Sequence, residues 1–147
     1  MTAIGETIVI ELGDNQCFGC SQQRSDGLGM VFTRTGDRTV ECLYTVPYLY
    51  RGMGGVVHGG VQAILLDEAV SVAAYLFWGA GTFTVTGNLA LSYRRPVPVD
   101  SPVLVRGELT SEDERNFHVT GAILDPDGTA LTTATALLRK MQRPEEG

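Results

Sequence analysis

A surplus of basic residues is the first thing missing from this 147-residue chain: 11 lysines and arginines stand against 17 aspartates and glutamates, a formal net charge of -6. Binding along a nucleic-acid backbone needs clustered Lys and Arg to displace counterions from phosphates, so no nucleic-acid partner is expected. The N-terminal stretch MTAIGETIVIELGDNQ has no basic residue ahead of its short apolar run. It lacks the layout of a secretory signal, and a cytoplasmic location is expected. No apolar run reads as long enough to span a bilayer, so no membrane partner is expected either.

Cysteine is scarce, with Cys17, Cys20 and Cys42 alone. An odd count without a signal does not make a disulfide framework, and reduced thiols are expected. Cys17-Phe18-Gly19-Cys20 has the spacing of half a zinc site, but structural zinc usually takes four ligands and no second CxxC follows. The sequence therefore gives no metal and no cofactor. A thioredoxin-like βαβ context for a redox pair is missing as well.

What is present fits one globular domain over residues 1–147, with about 15 extended residues at its start. The chain is 44% hydrophobic and 19% charged. Leu28–Thr35 and Arg38–Val46 are rich in β-branched and aromatic residues and flank a turn at Thr35-Gly36-Asp37. Pro47 closes the second strand, and the glycine-punctuated segment from Tyr48 to Val57 reads as a loop. From Gly60 to Trp78 the sequence is alanine-rich and free of proline, which predicts a helix, stopped by Gly79-Ala80-Gly81. Four further strands are expected over Thr82–Arg95, Val103–Thr110, Phe117–Leu124 and Thr129–Arg139. The order ββαββββ points to an α+β fold, an antiparallel sheet curled around a central helix.

That helix is apolar at nearly every azimuth, so it should be buried on most sides. Asp67 and Glu68 stand out among Leu65, Leu66, Ala69 and Val70. A carboxylate there is costly unless something pairs with it, and a solvated stripe would repeat its charges every third or fourth residue. One step apart on the helix, the two acids point about 100° from each other, so both are not expected to serve one site. Upstream, His58-Gly59-Gly60 puts two glycines at the helix N-terminus, where free N–H groups and the positive dipole end suit an oxyanion. No Gly-Lys-Ser/Thr follows, so this is no Walker phosphate loop.

Asp67 and the glycines lie about 10 to 12 Å apart along one helix, and a single carbonyl cannot touch both. If both serve one reaction centre they come from different helices, which implies two antiparallel copies and two equivalent sites. Simple alternation along the strand after the helix groups Thr84, Thr86, Asn88 and Ser92 on one polar face, a candidate site wall with Asn88 as a substrate contact. Arg94 and Arg95 form the one basic pair and suit the phosphates of a nucleotide-bearing substrate.

The stretch VHGGVQAILLDEAV, with His58, Gly59 and Gly60 ahead of Asp67, resembles the helix signature of the hotdog-fold acyl-CoA thioesterases of the phenylacetate-pathway and thioesterase-superfamily-member types. Thr86-Gly-Asn-Leu-Ala-Leu-Ser-Tyr-Arg-Arg-Pro-Val-Pro-Val-Asp100 is similar to their central strand and its exit loop, and CFGC followed by Gly27-Leu28 is also shared with relatives. The resemblance implies a hotdog fold and hydrolysis of an acyl-CoA or other acyl thioester. It further implies Asp67 as general base or nucleophile, Gly59 or Gly60 N–H polarising the carbonyl, Thr86 contacting the carboxylate or water, and His58 in support. A homodimer or dimer of dimers is expected. The chain departs from several relatives at Gly52, where they carry Asn or Gln. Two other readings share the fold: an enoyl-thioester hydratase or dehydratase, and a non-catalytic acyl-CoA-binding module.

Overall fold

A computed structural model describes residues 1–11, 14–79 and 81–142. Strand β1 (Thr33–Arg34) and β2 (Thr39–Thr45) form a hairpin, followed by two short 3-10 turns and then helix α1 (Gly59–Trp78). Strands β3 (Thr82–Tyr93), β4 (Pro102–Glu112), β5 (Asn116–Leu124) and β6 (Ala130–Gln142) complete the chain. The six strands make one antiparallel sheet in the order β1-β2-β4-β5-β6-β3. This is the α+β arrangement that the element order implied, and the hotdog fold that the resemblance implied.

Helix α1 lies in the curl of the sheet because its apolar residues have nowhere else to go. Leu65, Leu66, Ala69 and Val70 are fully buried against the inward residues Val105, Phe117, Val119, Ile123 and Leu138. Each leucine so buried contributes about 1.5–3 kcal/mol of transfer free energy. Close approach requires small residues on the sheet: a side chain at Gly107 of β4 would collide with the carbonyl of Ala69. By length and composition α1 is apolar enough to cross a membrane, contrary to the sequence expectation, but half of that window is packed inside the sheet.

The expected first strand, Leu28–Thr35, shrinks to Thr33–Arg34. Its N-terminal half spends its N–H groups elsewhere: Leu28 N donates to Phe18 O at 2.7 Å and Met30 N to Gly19 O at 2.9 Å. The CFGC turn and the Gly27-Leu28 segment are thus hydrogen-bonded partners. Nearer the chain start, Thr7 bridges to Thr33 and extends the sheet beyond β1. The helix ends as expected at Gly79, whose N–H reaches Tyr75 O at 3.0 Å and whose φ of 96° only glycine adopts readily. Ala80, in the middle of the expected stop, lies outside the described residues.

Candidate active site

A β-bulge decides which side chains of β3 face the helix. Between Thr86 and Asn88 the pairing with β6 slips by one residue, leaving Gly87 as the extra position. Before the bulge Thr86 stands opposite buried Leu138, and after it Asn88 stands opposite Leu137, which points the other way. Opposed residues of an antiparallel pair share a face. Thr82, Thr84 and Thr86 therefore face α1 together with Leu89, Leu91 and Tyr93, whereas Asn88 and Ser92 face outward. The polar face expected from simple alternation breaks at Gly87, and Asn88 is not on the side of Thr86.

On the inward side, Thr86 Oγ1 donates to Asp67 Oδ1 at 2.7 Å. The pair opens into a cleft of about 260 Å³ lined by Ser71, Tyr75, Phe83 and Thr84. Asp67 is half-buried, in the middle of an otherwise apolar helix. Its second oxygen has no protein partner among the described residues, and is available to a water or a substrate carbonyl carbon. Glu68 also lines this cleft, against the expectation from its azimuth, but it turns toward Cys17, whose Sγ lies 3.3 Å from Glu68 Oε1. Burial pushes the Glu68 carboxyl above the usual carboxylate range, with the neighbouring Asp67 charge adding to the shift.

The glycine end is a separate cluster. His58 caps α1, its Nδ1 accepting from Gly60 N at 2.9 Å, so the proton of the neutral ring sits on Nε2. That bond occupies the Gly60 N–H. Among the described residues the Gly59 N–H meets no protein acceptor, which makes Gly59 the one of the two glycines able to hold an oxyanion. The ring of Tyr93 packs over Gly59, and its hydroxyl donates to Gly59 O at 2.8 Å. Buried Gln62 braces the entry to the helix: its Nε2 donates to Val57 O at 3.1 Å and its Oε1 accepts from Thr132 Oγ1.

Tyr93 and Gln62 were not singled out in the sequence. Gln62 carries a usable signal, a lone amide in an apolar helix one turn after His58. Tyr93 carries none, because its inward orientation depends on the bulge. Arg94 and Arg95 follow Tyr93 directly; Arg94 lines an outer-face groove with Arg106 and Glu108, away from α1. Tyr75 and Phe83 line the Asp67 cleft, whereas Tyr48 and Met53 are exposed in the turns ahead of α1. Tyr50 and Phe77 pack against the core.

A family model described as the thioesterase superfamily matches residues 54–132, from the loop before α1 to the start of β6. The acyl-coenzyme A thioesterase THEM4 of Rattus norvegicus is 31% identical over 120 residues, which cover 79% of this chain and 50% of that protein. The chain spans about half the length of the THEM4 relatives it matches. A solved thioesterase superfamily protein is 32% identical, with a TM-score of 0.70 over 78% of this chain and 55% of that one. A phenylacetic acid degradation-related protein of solved structure, from Ralstonia eutropha JMP134, is 25% identical with a TM-score of 0.69, covering 76% of this chain and 85% of its own. With its matched segment holding both ends of α1 and the strand that pairs with Asp67, the chain belongs to the thioesterase superfamily.

Proposed function

We propose that this protein hydrolyses an acyl-CoA, or another acyl thioester, to a carboxylic acid and a free thiol. The observation that carries the reading is the half-buried Asp67 held by Thr86 at the mouth of a cleft. Relatives named as acyl-coenzyme A thioesterases support the substrate class.

In this reaction Asp67 either takes a proton from the water that attacks the thioester carbonyl, or adds to the carbonyl carbon itself and expels the thiolate, leaving a mixed anhydride that water then hydrolyses. Thr86 fixes the carboxylate through one oxygen and leaves the other free. As negative charge develops on the carbonyl oxygen, the Gly59 N–H at the positive end of α1 stabilises it. Arg95, at the same end of the fold as Gly59, faces the phosphates of a CoA-type leaving group.

Two copies are needed for this chemistry. Gly59 and Asp67 are eight residues apart on α1, about 12 Å of helical rise, so one carbonyl cannot reach both in a single protomer. Strand β3 is twelve residues long and lies at the sheet edge. A long open edge is a template for pairing with another chain. A two-fold axis through that edge sets the β3 strands and the helices antiparallel, and places the glycine end of one helix beside the acid of the other.

The hydratase reading asks for an acid and a histidine converging on one substrate. Here His58 spends Nδ1 on capping its own helix. The test is thiol release by the full chain from short, medium, long and aromatic acyl-CoAs, with Asp67→Ala alongside. Turnover by the native chain and its loss in a folded Asp67→Ala variant are expected. Hydration of an enoyl-CoA without thiol release, or saturable binding without turnover, would replace this reading.

A further inference from the structure

Glu68 stands beside Asp67 on α1 but takes no part in the pairing with Thr86. It meets the Cys17-Phe18-Gly19-Cys20 turn instead. One donor atom from each of Cys17, Cys20 and Glu68 lies within 4.8 Å of the other two, with Cys17 Sγ and Glu68 Oε1 at 3.3 Å. In sequence the turn offered two ligands, and the fold brings a third from 51 residues away. None of the ion pairs among the described residues involves Glu68.

The turn is built against the carboxylate rather than drifting over it. Gly19 is buried, and any side chain there would collide with Glu68. The Cys17 N–H donates to Asn15 Oδ1 at 3.0 Å, while Ser21 Oγ donates to Asn15 O at 2.6 Å. Together with the bonds from Leu28 N and Met30 N, these fix the backbone on both sides of the cysteines. Ligands around a tetrahedral zinc, at about 2.3 Å for sulfur and 2.0–2.2 Å for oxygen, are themselves about 3.5–3.8 Å apart. The Cys17–Glu68 separation is close to such an edge, and the other donor pairs lie within 4.8 Å.

We propose that Cys17, Cys20 and Glu68 form a binding site for a borderline-soft divalent cation of the zinc class. Thiolates select against the hard cations, which take oxygen ligands. On binding, the two thiols release their protons to solvent and the ion balances two of the three resulting negative charges. All three ligand residues line the cleft that Asp67 and Thr86 also line. The ion clips the segment around the CFGC turn to α1 one residue from Asp67, and so fixes a wall of that cleft. The site is independent of the proposed hydrolysis and is read out by binding alone.

Cobalt is the probe, because thiolate ligation gives it a near-ultraviolet charge-transfer band. The full chain, reduced with a non-chelating phosphine, is titrated with Co²⁺ and then with Zn²⁺. One cobalt per chain is expected, with a thiolate charge-transfer band that zinc displaces. Cys17→Ser and Cys20→Ser each lose the band, and Cys42→Ser, whose thiol is buried elsewhere, keeps it. Glu68→Gln retains the shape of the ligand and keeps the thiolate band, but weakens binding by about tenfold or more. Should the serine variants fail to fold, Glu68→Gln decides alone. The proposal is overturned if the reduced native chain takes up no stoichiometric metal, or if Glu68→Gln binds as tightly as the native chain. A chain whose Cys17 and Cys20 only form a disulfide, with no metal uptake after reduction, overturns it equally.

Discussion

Thr86 Oγ1 and Asp67 Oδ1 are joined across 2.7 Å by a hydrogen bond that ties Asp67 of α1 to β3. A hydrogen bond to a charged group is worth about 1.5–3 kcal/mol, which corresponds to about 10- to 100-fold in rate if the bond matters most in the transition state. Thr86→Val keeps the β-branched shape and removes the hydroxyl. Its kcat for thiol release should fall within that range with KM little changed, and Thr86→Ser should recover most of the loss. Equal activity in Thr86→Val and the native chain would remove Thr86 from the site.

The Gly59 N–H can be deleted without disturbing the helix. Gly59 is the first residue of α1, where proline is well tolerated, and His58 before it has the extended φ and ψ of -57° and 136° that a following proline favours. An added Cβ at Gly59 meets the Tyr93 ring at an ordinary 3.5 Å. Gly59→Pro should therefore fold like Gly59→Ala, which adds the Cβ but keeps the donor. Loss of one oxyanion donor costs about 10²- to 10³-fold in kcat. Steady-state kinetics should show that difference between the proline and alanine variants; parity between them would assign the oxyanion contact elsewhere.

Much of the architecture was legible because its signals are local. The long proline-free run from Gly60 to Trp78, with its isolated acids, marked the helix and singled out Asp67, which the fold pairs with Thr86. The turn residues between strands gave the order ββαββββ. What could not be read depends on pairing between distant segments. Gly87 looks like any strand glycine, yet the slip it permits turns Asn88 and Ser92 outward and Tyr93 inward. Leu28 to Phe32 has strand composition, yet its first N–H groups are claimed by the CFGC turn. The choice between Gly59 and Gly60 likewise depended on where the His58 imidazole turned.

The turn between β4 and β5 offers a pH test remote from the site. Asp113 Oδ1 accepts from Arg115 N and Asn116 N, each at 2.9 Å. These backbone bonds hold the Asp113 carboxyl below its ordinary value of 3.8. A carboxyl whose folded pKa is depressed binds fewer protons folded than unfolded, so its contribution to stability is complete above the unfolded value. It is lost as pH falls through the folded one. Asp113→Ala should lower the melting temperature at pH 7, and the gap from the native chain should close as pH falls below the ordinary value. A gap that is constant down to strongly acidic pH would mean the side chain acts through packing rather than charge.

The strongest test of the two-copy site uses two dead variants. If Asp67 and Gly59 of one protomer served the same substrate, Asp67→Ala and Gly59→Pro would each ruin their own site, and mixing them would restore nothing. If each site takes its acid from one protomer and its donor from the partner, a mixed dimer holds one site with both defects and one with neither. Random assortment makes half of the dimers mixed, each with one good site of two, so about one quarter of native activity per chain should return. The chains are to be co-expressed, or unfolded and refolded together, since separately folded dimers need not exchange. Thiol release near that level establishes the shared site. Recovery of none, with native mass spectrometry confirming mixed dimers, would overturn the two-copy site and remove Gly59 as the donor to the carbonyl on which Asp67 acts.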